Sequence, residues 1–211
     1  MILFFKNGQP FVEGVSLNNI LKKIESPFYI YSQKKIIEQL KKLKTCIDAE
    51  IFYSVKANSN QAILSLINSF GVGVDTVSAG EIERSIKAGI PGDKIIFEGV
   101  GKSTDDIKYA INNRIRQINI ESLEELTIIN AVCKSINEKI DVGVRINPDI
   151  NAETHDKIST GRKTDKFGIT FDLILDAFKK IQESEYLNLV GISTHIGSQI
   201  NDINVFEKLF I

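Results

Sequence analysis

At 211 residues the chain is long enough for one domain with a substantial core, and 43% hydrophobic residues is ordinary for a globular fold. Lys plus Arg number 26 against 27 Asp plus Glu, a net charge of −1, which gives no electrostatic ground for a nucleic-acid or membrane-surface partner. No stretch approaches the ~20 apolar residues of a membrane span, and Met1 to Gly8 holds too short an apolar run for a signal peptide, so the chain reads as cytoplasmic.

In chain order, residues 1–26 read as a short strand, a turn near Asn7-Gly8 and an amphipathic piece over Leu17 to Ile24. Pro27 opens an extended run, Phe28 to Tyr31. Ser32 is placed to cap a helix whose apolar residues, Ile36, Ile37, Leu40, Leu43 and Ile47, recur at helical spacing. Ile51 to Val55 then reads as a buried strand that ends in Lys56-Ala57-Asn58.

From there a rhythm sets in. Strands begin near Ile51, Val72, Ile95, Gln117 and Ile140, at intervals of 21, 23, 22 and 23 residues. Each interval holds one strand and one helix, which argues for βα units and a parallel sheet. Two helix starts carry a capping box, Ser78 with Glu81 and Ser122 with Glu125. No Gly-x-Gly-x-x-Gly follows the first strand, so a (β/α) barrel fits better than a dinucleotide-binding sheet. The sixth strand, Leu189 to Thr194, starts 49 residues after the fifth. The excess is a polar insertion from about Asn147 to Gly168, and long loops at strand exits more often carry function than not.

Six strands are two short of a closed barrel of this kind. The last segment, Asn204 to Ile211, starts an apolar helix and stops without a cap. The expectation is therefore an α/β fold, an incomplete (β/α)8 barrel over residues 27–211, read as the N-terminal part of a longer protein. Its two edge strands are expected to expose apolar faces. Cys46 and Cys133 each fall in a predicted helix without metal or redox spacing, so both read as reduced and partly buried, and no metal site is expected.

In parallel barrels the chemistry sits where the strands exit. Those positions hold Lys56 and Asn58, Asp75 and Glu81, Lys102, Arg145 and Asn147, then His155 with Ser159-Thr160-Gly161, and finally His195 to Gln199. A lysine shielded there by apolar neighbours can lose its proton and attack a carbonyl carbon; one that only caps a strand stays in water. Both histidines of the chain fall at this face. Gly99 to Ser103 looks like the end of a phosphate-binding Walker A loop, but the glycine required five residues before the Gly-Lys pair is replaced by Ile96. Lys102 then reads as a cationic loop residue near the barrel mouth.

These pieces resemble the fold-type III enzymes that use pyridoxal phosphate, and within them the diaminopimelate decarboxylase family. The matching stretches are Phe52 to Asn58, Val74 to Glu81, Arg145-Ile146-Asn147-Pro148, Thr154 to Gly161 continuing to Lys166-Phe167-Gly168-Ile169, and His195 to Ile200. The run from Thr154 to Gly168 is what separates this family from ornithine and arginine decarboxylases. The resemblance implies decarboxylation of a small amino acid, meso-diaminopimelate, to lysine, with pyridoxal 5′-phosphate as cofactor and a homodimeric complete protein. It implies that Lys56 bonds covalently to the cofactor, that His195 stacks on its ring, that Ser198 meets its phosphate and that Asp75 lies near the linkage. Arg145 and Glu81 would be neighbours beneath the site.

Each has a plainer alternative: Glu81 as the cap partner of Ser78, Arg145 as half of a structural ion pair, Ser198 as a loop hydroxyl on its own backbone. The family's glycine-rich phosphate loop, pyridine-nitrogen glutamate, substrate arginine, cysteine acid, late tyrosine and a β-domain that packs with residues 1–26 would all follow residue 211. On that expectation the 211 residues alone are inactive. A non-catalytic single-domain pyridoxal-phosphate carrier, and another decarboxylase or racemase of the same fold, are the competing readings.

Overall fold

The computed structural model describes residues 3–150, 167–198 and 200–210, with the Phe210 side chain left aside. The expectations placed on His155, on Ser159-Thr160-Gly161 and on Gln199 lie outside the described residues.

The chain forms two compact units, residues 1–50 and 51–211. In the first, β1 (Leu3–Lys6), β2 (Gln9–Val12) and β3 (Val15–Ser16) make an antiparallel sheet. Its two turns, Asn7-Gly8 and Glu13-Gly14, have positive φ at both residues, as two-residue hairpins require. Asn-Gly announces the first turn. Glu13 stands in the second where Asn or Asp is usual, so β2 and β3 carry no turn signal between them. Helix α1 (Leu17–Leu21) follows, then α2 (Gln33–Cys46), capped by Ser32 Oγ accepting from the Lys35 N–H at 3.0 Å. Of the α2 stripe only Leu40 is buried; Leu43 and Ile47 are exposed, and Phe28 to Tyr31 form no strand.

The second unit alternates strand and helix: β4 (Phe52–Ser54), α3 (Gln61–Asn68), β5 (Gly73–Thr76), α4 (Ala79–Lys87), β6 (Ile95–Phe97), α5 (Thr104–Asn112), β7 (Gln117–Ile120), α6 (Leu123–Ile136), β8 (Ile140–Asn147), β9 (Ile169–Thr170), α7 (Ile174–Gln182), β10 (Leu187–Thr194) and α8 (Asn204–Phe210). All pairings are parallel and the order is β4-β5-β6-β7-β8-β10, with β9 joined to the last two residues of β8. The order never reverses, which excludes a doubly wound sheet with its switch point and fits an open arc of a (β/α) barrel.

The middle strands are buried along most of their length, as parallel strands covered on both faces must be. The helices bury one stripe each against them: Ile107, Ala110 and Ile111 of α5, Leu126, Ile129 and Cys133 of α6, Ile174, Ala177 and Ile181 of α7. Among the described residues β4 and β10 are the ends of the sheet. On β10 the expected apolar edge is present, with Leu189, Val190 and Ile192 exposed, whereas β4 is half-buried throughout.

The cysteines divide more sharply than their shared helical setting suggests. Cys46 ends α2 and is exposed, and Cys133 is buried in the core with its thiol pushed up to about 11 by that burial. Iodoacetamide at pH 8 is therefore expected to alkylate Cys46 of the folded protein and spare Cys133, read by peptide mass spectrometry. Equal labelling of the two would mean that α6 is not packed on the sheet.

Candidate active site

Because the sheet is parallel, every strand of the second unit exits on the same side. After β4 a single 3-10 turn, Val55–Ala57, tucks Val55 fully into the core and turns Lys56 outward. Lys56 is exposed, so the apolar shielding expected around it is not supplied by its described neighbours, which are largely polar.

Asp75 lies on β5 opposite Ser54 in the register, and its Oδ2 accepts from Ser54 Oγ at 2.8 Å. Its Oδ1 is buried and has no partner among the described residues. Burial raises the pKa of this carboxyl, against the lowering effect of the Ser54 bond and of the Lys56 and Arg145 charges. Glu98, the first residue past β6, accepts a hydrogen bond from Asn119 Nδ2 and is likewise raised, by burial first and by the Asp75 charge. Sequence reasoning passed over Glu98, although an acidic residue directly behind a buried strand end was there to be seen.

Arg145 projects from β8, opposite Ser193 of β10. Its Nη1 donates to Glu121 Oε1 at 2.8 Å, and its guanidinium lies 5.0 Å from the Phe167 ring centroid. Ser193 Oγ is a second buried atom with no partner among the described residues. His195 follows β10, and its Nδ1 accepts from the Gly197 N–H at 3.2 Å, which assigns the proton of the neutral ring to Nε2. Burial, then the Arg145 and Lys56 charges, holds its pKa below the ordinary imidazole value.

Lys56, Asp75, Glu98, Arg145, Ser193 and His195 line one cavity of about 210 Å³. That is below the ~300–1,000 Å³ of a typical small-molecule pocket. Ser198, three residues past His195, is exposed and does not line it.

Two expected placements are corrected. The carboxylate that Arg145 meets is Glu121, a residue the sequence reading missed. Glu81 is committed to the start of α4: its own N–H donates to Ser78 Oγ, and its Oε2 accepts from the Val77 N–H at 2.8 Å. Lys102 is not a cation at the barrel mouth. Its side chain is 1% exposed and Nζ donates to Gly99 O, Asn119 O and Glu125 Oε1 at 2.5, 2.8 and 3.0 Å, which uses all three of its protons.

The capping boxes also differ from expectation. Glu81 and Glu125 each reach the amide one residue before the cap serine, Val77 and Glu121, while the complete box is Ser103 with Asp106 at α5. An amine, an unpaired carboxylate oxygen, a free hydroxyl, a neutral imidazole and an arginine facing one cavity suit the capture of a carbonyl compound that carries negative charge.

Residues 33–210 match the family model described as the pyridoxal-binding domain of pyridoxal-dependent decarboxylases. The chain is 40% identical over 208 residues to the diaminopimelate decarboxylase of Zymomonas mobilis, covering 96% of this chain and 49% of that protein. The crystal structure of diaminopimelate decarboxylase from Helicobacter pylori, complexed with L-lysine, superposes with a TM-score of 0.87 at 39% identity, covering 91% of this chain and 50% of that one. The Methanocaldococcus jannaschii enzyme, also with L-lysine, gives a TM-score of 0.84 at 37% identity, covering 97% and 50%. The chain thus spans about half the length of the curated relatives it matches.

Proposed function

The chain belongs to the pyridoxal-dependent decarboxylase family, and on that premise we propose that its cavity binds pyridoxal 5′-phosphate and that the complete protein decarboxylates meso-diaminopimelate to L-lysine. The observation that carries this reading is the meeting of Lys56 and His195 in one cavity with the buried, unpaired Asp75 Oδ1. The donor set fits the group: an amine for an aldehyde, a flat imidazole for a ring face, and two buried polar atoms, Asp75 Oδ1 and Ser193 Oγ, each without a hydrogen-bond partner among the described residues and open to one from a ligand.

When bound, pyridoxal phosphate supplies an aldehyde for the lysine and an electron-withdrawing ring that accepts the pair left by departing CO₂. The chain's own residues do the rest. Lys56 provides the amine. Asp75, oriented by Ser54, holds or passes a proton beside Lys56. His195 presents its ring face, and its depressed pKa keeps it uncharged there. Arg145 places a fixed positive charge at the cavity wall, and Ser198, which lies outside the cavity lining, is assigned to the phosphate by the family pattern alone. Diaminopimelate as substrate is supported by the names of the relatives and by the L-lysine held in the two solved structures. The same reading takes the complete protein as a cytoplasmic homodimer, with residues 27–211 in the barrel and residues 1–26 joined to a β-domain.

Treating the complete protein with pyridoxal phosphate and then borohydride is expected to fix the cofactor on the Lys56 peptide, with CO₂ release from meso-diaminopimelate before reduction and none after. Adducts spread over the other lysines, with Lys56 no more reactive than they are, would return Lys56 to a surface residue capping a strand.

A further inference from the structure

We propose that Glu121 is a positioning residue for this cavity: its buried carboxylate ties together the exits of three neighbouring strands and fixes the Arg145 guanidinium at the cavity wall. The inference deepens the cofactor-binding reading above and rests on it. Glu121 is the first residue past β7 and is 4% exposed. Its Oε1 accepts from Arg145 Nη1 on β8 and, at 3.1 Å, from the Gly99 N–H past β6; its Oε2 accepts from the Gly168 N–H just before β9 at 3.1 Å. Its own N–H is held at 2.7 Å by Glu125 Oε2, whose other oxygen pairs with the buried Lys102.

Three donors converging from three segments call for an acceptor-only side chain, which a carboxylate is. Glutamine would turn an NH₂ toward one of them and set two donors face to face, and aspartate is one methylene short. Gly99 and Gly168 both have positive φ, +92° and +78°, and a Cβ on Gly168 would crowd the Asn147 nitrogen and the Arg145 carbonyl at 2.9 and 3.2 Å. Both clamped amides therefore sit on backbone shaped for them, one in the cavity lining and one against the end of β8.

The clamp also sets charge. The ionisable groups acting around His195 are Lys56 from the β4 exit, Asp75 from β5, Glu98 from the β6 exit, Glu121 from the β7 exit and Arg145 from β8. Arg145 and Lys56 depress the His195 pKa, and Glu121 opposes them. Glu121 likewise raises Asp75 and Glu98. Removing its charge must move all three downward together, an effect that loosened packing alone would not give.

The test uses the complete protein, unliganded for NMR titration of the His195 imidazole and loaded for turnover. Glu121→Gln is expected to lower the His195 midpoint and to reduce kcat/KM by about 100-fold, as displacing a positioned group does. Glu121→Gln with Arg145→Gln, which removes both charges, is expected to bring the midpoint back toward the unmodified value without restoring turnover. An unchanged midpoint in Glu121→Gln overturns the proposal, as does double-variant turnover equal to that of the unmodified protein; the latter also decides the matter should Glu121→Gln fail to fold. Absence of borohydride trapping at Lys56 in the unmodified protein would instead refute the cofactor reading itself, whatever the variants do.

Discussion

Replacing Lys56 by arginine is expected to abolish decarboxylation by the complete protein, and replacing it by alanine to do the same. Both side chains remove the primary amine, but only alanine removes the charge. Arginine keeps a cation at the end of the same 3-10 turn, and Lys56 is exposed, so there is room for the longer side chain. If Lys56 merely balanced Asp75 and Glu98 in the cavity, arginine would serve nearly as well. If it must attack a carbonyl carbon, arginine fails, because a guanidinium stays protonated and presents no free electron pair at neutral pH. The expected loss is the whole catalysed rate, for enzymes about 10⁶-fold or more. Labelled CO₂ from carboxyl-labelled diaminopimelate measures it, and borohydride trapping of the same samples locates the amine. Retention of even a few per cent of activity by Lys56→Arg would sink the nucleophile assignment and leave an electrostatic one.

How far this site was legible follows from what kind of information fixes each residue. The spacing of 21 to 23 residues between strand starts gives β4 to β8 to within a residue or so. Once the strands are parallel, Lys56, Asp75, Arg145 and His195 must share a side, and they meet in one cavity. β10 begins at Leu187 rather than Leu189, since Asn188 breaks the apolar run that marks the strand, and β9 is too short to leave a pattern. Glu121 was hidden by the capping-box reading of Ser122 to Glu125. That reading assigned Glu125 to the helix end, when its carboxylate holds the Glu121 amide instead. Lys102 misled for a related reason. A lysine in a glycine-rich loop looks solvated, and only the fold brings two carbonyls and a carboxylate to where they can take its protons. Local patterns report periodicity and caps; they do not report which acceptors the neighbouring strands deliver.

Lys102→Met is accordingly expected to be among the most destabilising single substitutions outside the cavity. It keeps an apolar chain of similar length but deletes the charge, leaving Glu125 buried without its cation, the Gly99 and Asn119 carbonyls without the bonds from Nζ, and the Phe97 ring without the ammonium 5.4 Å from its centroid. Breaking a buried pair from one side costs about 3–5 kcal/mol, against about 0–1 kcal/mol for solvent-exposed pairs in general. Glu125→Gln in the Lys102→Met background should then recover part of the loss. It removes the stranded charge and still offers an oxygen to the Glu121 N–H. The same Glu125→Gln change made alone should destabilise, because it strands Lys102. A substitution that stabilises in one background and destabilises in the other is the mark of direct coupling, and urea denaturation of the four proteins measures it. Because Glu125 also holds the Glu121 amide, the Lys102→Met protein should lose turnover under conditions where it is still mostly folded, and the double variant should regain stability and turnover together. A cost below about 1 kcal/mol for Lys102→Met, the range of surface pairs, would return Lys102 to the solvated loop cation that its sequence suggests.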